Sequence, residues 1–287
     1  MSNRRAAAIR ARLRDAARER GEDFNLTLNR YAVERYLYRL SISRWADQFV
    51  LKGALLFDLW FDEAHRPTRD ADLLGFGPDD AATARSIVTA ICAIEVDDGI
   101  ELDPAATKVD EIREEARYGG LRIRIPGTLD GSLCTAQIDI GFGDVVTPGP
   151  MVVDYPTLLA GVPAPRLRVY PRESVMSEKL EAIVSLGMAN SRMKDYYDLR
   201  ALIREDKVDK ASLVDAIRAT FERRHTRIPE AIPMGLSDEF ANTPTKITQW
   251  KAFLDRNRLE GPPLGAVLAD IRTALAPSMS LARAPAE

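Results

Sequence analysis

The sequence predicts an α/β (α+β) fold, in which a small mixed β-sheet has helices before it and a helical part behind it. Apolar residues recur at helical spacing up to Leu40, short strand-like segments follow up to Phe142, and helical patterns return after Pro171. The chain has 287 residues, of which 46% are hydrophobic, so it is long enough for two modest domains. We place the predicted domains at residues 1–170 and 171–287.

The composition excludes several classes of protein. Lys and Arg total 40 against 43 Asp and Glu, and the formal net charge of −3 excludes a generally basic protein that coats nucleic acid. Two cysteines are too few for a thiolate zinc site within one chain, and two histidines are too few for an imidazole site. We find no secretory leader and no apolar run of about 18 residues. A cytoplasmic protein without membrane contact is therefore expected.

The first predicted helix carries a local positive surface. From Arg4 to Arg20 seven arginines accompany only two acidic residues, and apolar residues such as Leu13 lie at helical spacing. Gly21 ends this helix, and a second helix is expected over residues 26–40. The basic face is either a solvated surface over a packed helix or a contact for RNA, and the residues favour neither.

A predicted strand leads through a glycine turn into a predicted helix. Residues 48–51 form a short apolar segment, and Lys52-Gly53 leads directly into the apolar run from Ala54 to Trp60. Backbone N–H groups and the helix dipole at such a turn can hold phosphate oxygens. Lys52, Gly53 and Ala54 are therefore candidate nucleotide-binding residues.

The next predicted strand, residues 70–74, carries two carboxylates. Side chains two positions apart in a strand point to the same face, so Asp70 and Asp72 project together. Two carboxylates this close repel each other unless a cation lies between them. Mg²⁺ or Mn²⁺ suits such a pair when substrate phosphates complete the coordination shell. An Asp-x-Asp pair alone is weak support for a metal site, because many such pairs are solvated surface.

A third acid comes from a later strand. Strands are expected over residues 121–125 and 135–142, and Asp139 on the second of these can approach the aspartate pair, with Gln137 on the same face. Three acids beside an anion-binding turn are the minimum for two-metal phosphoryl or nucleotidyl transfer. Asp139 is thus the third candidate metal ligand, and the nearby Asp144 competes for this role.

Two further helices are predicted beyond Pro171. Ser174 is a credible N-cap for the first, which runs through Leu186 to a stop at Gly187. The second is expected over residues 192–203. This helical pattern marks the start of the second predicted domain.

Several motifs follow one another along nearly the whole chain. They are Asn29-Arg30-Tyr31-Ala32, Lys52-Gly53-Ala54-Leu55-Leu56, Arg66 to Leu74 with its Asp-x-Asp pair, Ile138-Asp139-Ile140-Gly141, Ser177-Glu178-Lys179-Leu180-Glu181-Ala182 and Lys194-Asp195-Tyr196-Tyr197-Asp198-Leu199. In these motifs and their order the sequence resembles the AbiEii/AbiGii abortive-infection toxins, a branch of the polymerase-beta-like nucleotidyltransferases. The last two motifs are the most specific.

The resemblance implies roles for individual residues. Asp70 and Asp72 would bind the metals, Lys179 would contact the nucleoside triphosphate, and Asp195 would act near the acceptor or position Lys179, so that the C-terminal domain completes the active site. An interior lysine needs a charged partner, which a triphosphate or Asp195 supplies. The alternative is a solvated Lys179 on an ordinary helix. Asp198 lies on nearly the same helix face as Asp195 and could brace the site.

One residue departs from the pattern of the broader superfamily. That superfamily has Gly or Ser after the motif glycine, where a hydroxyl can hold a phosphate, and this chain has Ala54. Backbone N–H groups of Gly53 and Ala54 can replace the contact. We therefore expect altered nucleotide affinity and retained activity.

The resemblance also implies a function. The expected enzyme is a metal-dependent nucleotidyltransferase that moves a nucleoside monophosphate from a nucleoside triphosphate to an acceptor, with the 3′ end of tRNA favoured and translation blocked as a result. A cognate antitoxin in a toxin–antitoxin or phage-defence system is a further expected partner, and the basic first helix could contact either RNA or an acidic antitoxin. The alternatives are nucleotidylation of a protein hydroxyl, a nucleotide-binding module without catalysis, and hydrolysis of nucleic acid.

Overall fold

The chain forms two compact units. The computed structural model describes residues 3–62, 65–114 and 118–284. The first unit runs up to Gly143 and includes Met151–Val169, and the second comprises Asp144–Pro150 and the chain from Tyr170 onward. Among the described residues, no helix has the length and apolar character needed to cross a bilayer.

Two helices begin the first unit, α1 at Asn3–Glu19 and α2 at Phe24–Ser41. Leu13 of α1 and Tyr31 of α2 are fully buried, as their spacing predicts. Three arginines of α1 bind groups of the same unit: Arg5 pairs with Asp97, Arg10 pairs with Asp130, and Arg12 donates to the carbonyl of Ala160. Part of the basic face is therefore used in packing.

The first unit contains a mixed sheet of eight strands within the described ranges. The strands are β1 Phe49–Lys52, β2 Asp70–Gly75, β3 Ile100–Leu102, β4 Lys108–Glu114, β5 Tyr118–Leu129, β6 Ser132–Phe142, β7 Met151–Asp154 and β8 Arg166–Val169. Their order is β3-β5-β6-β2-β1-β8-β7, and β4 also pairs with β5. The β2–β6 and β1–β8 pairs are parallel and the other pairs are antiparallel. The predicted α/β (α+β) class and mixed sheet are confirmed.

Two further helices of the first unit lie on either side of β2 in the sequence, α3 at Phe57–Trp60 and α4 at Ala81–Cys92. The helix expected from Ala54 to Trp60 is interrupted: Gly53–Leu56 forms a tighter 3-10 turn before α3 begins. Leu55, Leu56 and Phe57 are buried, so the apolar run marked burial correctly but did not distinguish the two helix types.

The described part of the second unit is helical. Its helices are α5 Arg172–Leu186, α6 Met193–Glu205, α7 Lys210–Arg223, α8 Asp238–Asn242, α9 Pro244–Asn257 and α10 Leu264–Arg283. Gly187 ends α5 with φ of 50°, as expected for a helix stop. The prediction that Ser174 caps α5 is wrong, because Pro171 occupies the cap position and Ser174 lies inside the helix. The Ser174 hydroxyl instead donates to the carbonyl of Thr147 at 2.9 Å.

Candidate active site

A row of four charged side chains crosses four neighbouring strands of the first unit. Lys52 of β1 is the register partner of Asp72 on β2, Asp72 is the partner of Asp139 on β6, and Asp139 is the partner of Arg122 on β5. Register partners lie on the same face of a sheet. Two adjacent carboxylates thus lie between a lysine and an arginine.

Strand β2 presents its carboxylates because its other face is buried. Ala71 and Leu73 are buried in the core, whereas Asp70 and Asp72 are only half-buried. The alternation of a strand therefore places both aspartates on the opposite face. Asp70 is the register partner of Gln137, and this pair lies two residues before the Asp72–Asp139 pair along β2 and β6.

Arg122 binds Asp139 through two parallel hydrogen bonds. Its Nε donates to Oδ1 at 2.9 Å and its Nη2 donates to Oδ2 at 2.6 Å. These bonds raise the pKa of Arg122, and the negative charges of Asp70 and Asp72 act in the same direction. The sequence prediction missed Arg122. Its alternation with buried Leu121 and Ile123 could have indicated the exposed face, but the pairing register with β6 was needed to place it beside Asp139.

Hydrogen bonds fix the orientation of Asp70. The Thr68 hydroxyl donates to Oδ1 at 2.9 Å, and the Gln137 amide donates to Oδ2 at 3.3 Å. The same Gln137 nitrogen lies 3.5 Å from Oδ1 of Asp139. Gln137 therefore links the two acids, and these contacts fix the orientation of the Asp70 carboxylate.

Gly53 closes the turn beneath Asp72. Its φ is +75°, and a Cβ placed on it would lie 1.9 Å from Oδ2 of Asp72. Only glycine allows the carboxylate to approach the backbone this closely. Lys52 Nζ lies 3.9 Å from the position of a Cβ built on Gly141, which places the ammonium on the face of the acids. Ala54 follows in the 3-10 turn, where backbone N–H groups are the available donors.

The three acids have the right chemistry for a hard divalent cation, because all their donors are carboxylate oxygens. Both oxygens of Asp139 are engaged by Arg122, however. Among the residues that the structure describes, no three His, Cys, Asp or Glu side chains are arranged as a ready metal site. Asp139 would have to give up part of its pairing with Arg122 to join Asp70 and Asp72 around a cation.

Lys179 of α5 lies between two carboxylates of α6 in the second unit. Its Nζ is 2.8 Å from Oδ1 of Asp195 and 2.8 Å from Oδ2 of Asp198. The lysine side chain is 11% exposed and both aspartates are fully buried. Arg192 approaches the second oxygen of Asp195 at 2.6 Å. Lys179 is therefore a nearly buried, paired cation and does not lie on a solvated face.

The cluster of Lys179, Arg192, Asp195 and Asp198, called the Lys179 cluster below, sets the pKa of Asp195. Burial alone raises the pKa of this carboxyl, but the positive charges of Lys179 and Arg192 outweigh it, and the pKa lies below its ordinary value. Asp195 is consequently ionised at neutral pH, which keeps Lys179 oriented.

Asp144 has a different environment from Asp139. It belongs to the second unit and lies 3.0 Å from Arg224, a cation that also contacts Glu178 and Glu181. Charge pairs of this kind hold α5 and α7 together. The geometry favours Asp139 as the third acid, since Asp139 is the direct neighbour of Asp72 in the sheet.

Known proteins share features with this chain. The family described as "Nucleotidyl transferase AbiEii toxin, Type IV TA system" matches residues 35–277. No curated protein matches the sequence. The structure is similar to the crystal structure of JHP933 from Helicobacter pylori, with a TM-score of 0.50 and 14% identity over 88% of this chain and 91% of that chain. It is also similar to a candidate nucleotidyltransferase from H. pylori, with a TM-score of 0.49 and 15% identity over 88% of this chain and 94% of that chain.

The structural similarity, at 14% identity, shows a shared fold only. The family match covers most of the sequence. The matched range contains the charged row on β1, β2, β5 and β6 as well as Lys179 and Asp195, and it leaves out α1. The resemblance found in the motifs is thereby confirmed. The chain belongs to the AbiEii family of nucleotidyltransferase toxins of type IV toxin–antitoxin systems.

Proposed function

We propose that the protein transfers a nucleoside monophosphate from a nucleoside triphosphate to the 3′ end of tRNA, and that this modification blocks translation. The observation that carries the proposal is the charged row of Lys52, Asp72, Asp139 and Arg122 beside Asp70. Two adjacent carboxylates next to a turn whose backbone N–H groups can bind phosphate are typical of nucleotidyl transfer. The family membership supports the transferase activity, the nucleotide and an antitoxin partner.

In this reaction a hydroxyl oxygen of the acceptor forms a bond to the α-phosphorus. The bond from that phosphorus to the bridging oxygen breaks, and pyrophosphate leaves with its electrons. One of the carboxylates of Asp70, Asp72 and Asp139 takes up the hydroxyl proton and passes it to water. The backbone N–H groups of Gly53 and Ala54 and the ammonium of Lys52 are suited to bind the triphosphate.

Asp70, Asp72 and Asp139 would hold divalent cations, Mg²⁺ or Mn²⁺, in this proposal. When bound, such ions would polarise the α-phosphoryl group and favour loss of the proton from the attacking hydroxyl. Gln137 and Thr68 orient Asp70 for this purpose. Arg122 neutralises the carboxylates until the cations bind, because its guanidinium lies in the field of all three.

Lys179 is proposed to neutralise charge that develops on the leaving pyrophosphate. Asp195 and Asp198 hold its ammonium in place at 2.8 Å each, and a preorganised cation of this kind stabilises a transition state more than a mobile one. Asp195 is a positioning residue in this scheme.

The choice of tRNA and the role in phage defence rest on family resemblance. We propose that the protein acts in the cytoplasm, where tRNA and nucleotides are abundant. Exposed arginines of α1 and of the turn after it, such as Arg14 and Arg20, add a local positive surface for a phosphate backbone. A protein hydroxyl as acceptor is an outcome that the experiment below would detect.

The test is incubation of the purified protein with each α-labelled nucleoside triphosphate, bulk tRNA and either Mg²⁺ or a chelator. We expect label on tRNA with at least one nucleotide, and none with the chelator. Asp70→Ala should abolish labelling while the thermal stability stays close to wild type, because removing one of several adjacent carboxylates relieves repulsion in the metal-free protein.

Asp79→Ala is the matched control, since Asp79 is an exposed aspartate shortly after β2. It should retain full labelling. Label on added protein in place of tRNA would reassign the acceptor, shortened tRNA would indicate hydrolysis, and a fully active Asp70→Ala variant would remove Asp70 from the mechanism.

A further inference from the structure

A cavity of about 710 Å³ in the first unit opens beside Asp70. Its wall includes Asp70 at the start of β2, Thr68 just before this strand, residues of α2 and α3, and the loop between β7 and β8. Lys52, Gly53 and Asp72 are not among its described lining residues. Leu55 of the Gly53–Leu56 turn does line the cavity, so the cavity adjoins Asp70 at one end of this turn and Gly53 adjoins Asp72 at the other.

The inner wall combines aliphatic side chains with fixed polar groups. Leu37 supplies part of the apolar surface, while Arg30 lies 3.0 Å from Asp58 and the Tyr155 hydroxyl donates to Asp58 at 2.9 Å. Arg30 also pairs with Glu22 at 3.2 Å. These pairs keep polar atoms at set positions around an apolar surface, which is the usual construction of a small-molecule site.

The charge of the lining disfavours a triphosphate. The lining carboxylates outnumber the lining guanidinium groups: Glu19, Glu22, Glu34, Asp58, Asp62 and Asp70 against Arg20, Arg30 and Arg69. An excess of carboxylates repels a polyanion and accepts hydrogen bonds from hydroxyl and amino groups. An uncharged polar group with an apolar face, such as a nucleobase with its ribose, fits this wall.

We propose that this cavity binds the terminal nucleoside of the acceptor RNA and presents its hydroxyl to Asp70. The inference rests on the proposed nucleotidyl transfer and adds the location of the acceptor. The volume lies within the range of about 300–1,000 Å³ that is common for ligand pockets. The ribose hydroxyl then attacks the α-phosphorus from the Asp70 side, while the triphosphate is held on the Gly53 side and pyrophosphate leaves. Arg20 and Arg69, both exposed on the lining, are suited to contact the preceding phosphates.

The test replaces a small lining residue by a large aromatic one, which reduces the volume of the cavity. Thr157 is half-buried in the β7–β8 loop, lines the cavity and donates its hydroxyl to Leu159 of the same loop at 3.1 Å. With bulk tRNA as acceptor, Thr157→Trp should raise the KM for tRNA by about tenfold or more, since small changes in pocket shape cost this much. The KM for the nucleotide should stay at the wild-type value. Thr157→Phe, a smaller change, should give a smaller increase and serves as the second variant if Thr157→Trp lowers the melting temperature.

The matched control is Leu133→Trp, because Leu133 is 82% exposed at the start of β6 and does not line the cavity. It should change neither KM. A wild-type KM for tRNA in both Thr157 variants would overturn the inference, and so would an increase confined to the KM for the nucleotide, which would assign the cavity to the donor.

Filter binding of bulk tRNA without nucleotide separates this inference from the proposed function. Thr157→Trp should weaken tRNA binding by about tenfold even if no transfer is detected, because the measurement needs no turnover. Absence of transfer by the wild-type protein would refute the proposed function, whereas equal tRNA binding by wild type and Thr157→Trp would refute the cavity assignment.

Discussion

Lys179 forms two ion pairs within the second unit and is also proposed to act in the transfer reaction. It is held at 2.8 Å by each of Asp195 and Asp198, so its removal leaves two buried carboxylates without their shared cation. We expect Lys179→Ala to lower the single-turnover rate by about 10²-fold or more at saturating nucleotide, as the loss of a preorganised electrostatic group commonly does. The same variant should lose about 3 kcal/mol of stability, at the lower end of the cost of breaking a buried ion pair, because Arg192 still faces Asp195.

The variant Lys179→Arg separates the two effects. A guanidinium restores the charge between the aspartates but does not replace a compact ammonium, so stability should recover further than the rate. Lys251→Ala, an exposed lysine on α9, is the matched control and should leave both unchanged. Near-normal rates in both Lys179 variants would place this lysine outside the chemistry.

Arg122 is predicted to take the place of a cation until metal binds. Replacing it by Gln leaves Asp70, Asp72 and Asp139 adjacent without their main counter-charge, because the raised pKa of Arg122 reflects its hydrogen bonds to Asp139 and the charges of the other two acids. We expect a lower Tm for Arg122→Gln in the absence of Mg²⁺. Added Mg²⁺ should raise its Tm by more than that of wild type, since a ligand that binds only the folded state stabilises it.

Arg124→Gln is the control for this prediction. Arg124 lies two residues along β5 on the same face, is the register partner of Gln137, and pairs its guanidinium with Asp110. Its Mg²⁺-dependent shift in Tm should equal that of wild type. Equal shifts in Arg122→Gln and Arg124→Gln would show that Arg122 does not compete with the metal.

The turn after β1 connects backbone conformation to the position of a carboxylate. Gly53→Ala places a methyl group 1.9 Å from Oδ2 of Asp72 in the unrelaxed geometry, and φ at this residue is +75°. The variant should lose about 1 kcal/mol from backbone strain and also displace Asp72. We therefore expect loss of transfer and of the Mg²⁺-dependent gain in Tm.

Gly131→Ala is the matched control, because it introduces the same backbone strain at a positive φ without a clash with a carboxylate. Gly131 lies in the β5–β6 turn with φ of +73°, and nothing lies within 4 Å of its Cβ position. It should lose a similar amount of stability and retain transfer. If Gly53→Ala and Gly131→Ala behave alike in both measurements, the close approach of Asp72 to Gly53 has no functional role.

At the scale of the whole molecule, acid stability should report the Lys179 cluster. The folded-state pKa of Asp195 lies below its ordinary value of 3.8, so its contribution is present at pH values above 3.8 and is lost as the pH falls through the folded-state pKa. The difference in unfolding free energy between wild type and Asp195→Asn should thus be largest near neutral pH and shrink in acid. A difference that is constant with pH would contradict the ionised, paired Asp195.

Tryptophan fluorescence can restrict this measurement to the second unit. The chain has three tryptophans, and Trp250 is buried against Phe253 and close to Tyr197 in that unit. Denaturation followed in a background of Trp45→Phe and Trp60→Phe reports the unit that contains Asp195. This avoids treating two compact units as one two-state system.

The sequence by itself determined the elements with strong periodicity. Alternation around Asp70 and around Asp139 placed strands that the structure contains, and glycine and apolar spacing located α1, α2, α5 and α6. The short or charged strands β3, β4, β7 and β8 were missed. Strand β7 shows why: its residues Met151 and Val152 are exposed, so no buried alternation marks it. The motifs also identified the family, because a motif is recognised from residue type and order alone.

Only the tertiary structure decided which side chains meet. Alternation fixes the face of a strand but not its partner or register. The sequence therefore predicted that Asp139 approaches the aspartate pair, but not that its register partners are Asp72 and Arg122. The two partners of Lys179 likewise depend on how α5 packs against α6. The cavity beside Asp70 is assembled from segments far apart in the chain. Contacts of this kind are set by the packing of whole elements, which local sequence patterns do not encode.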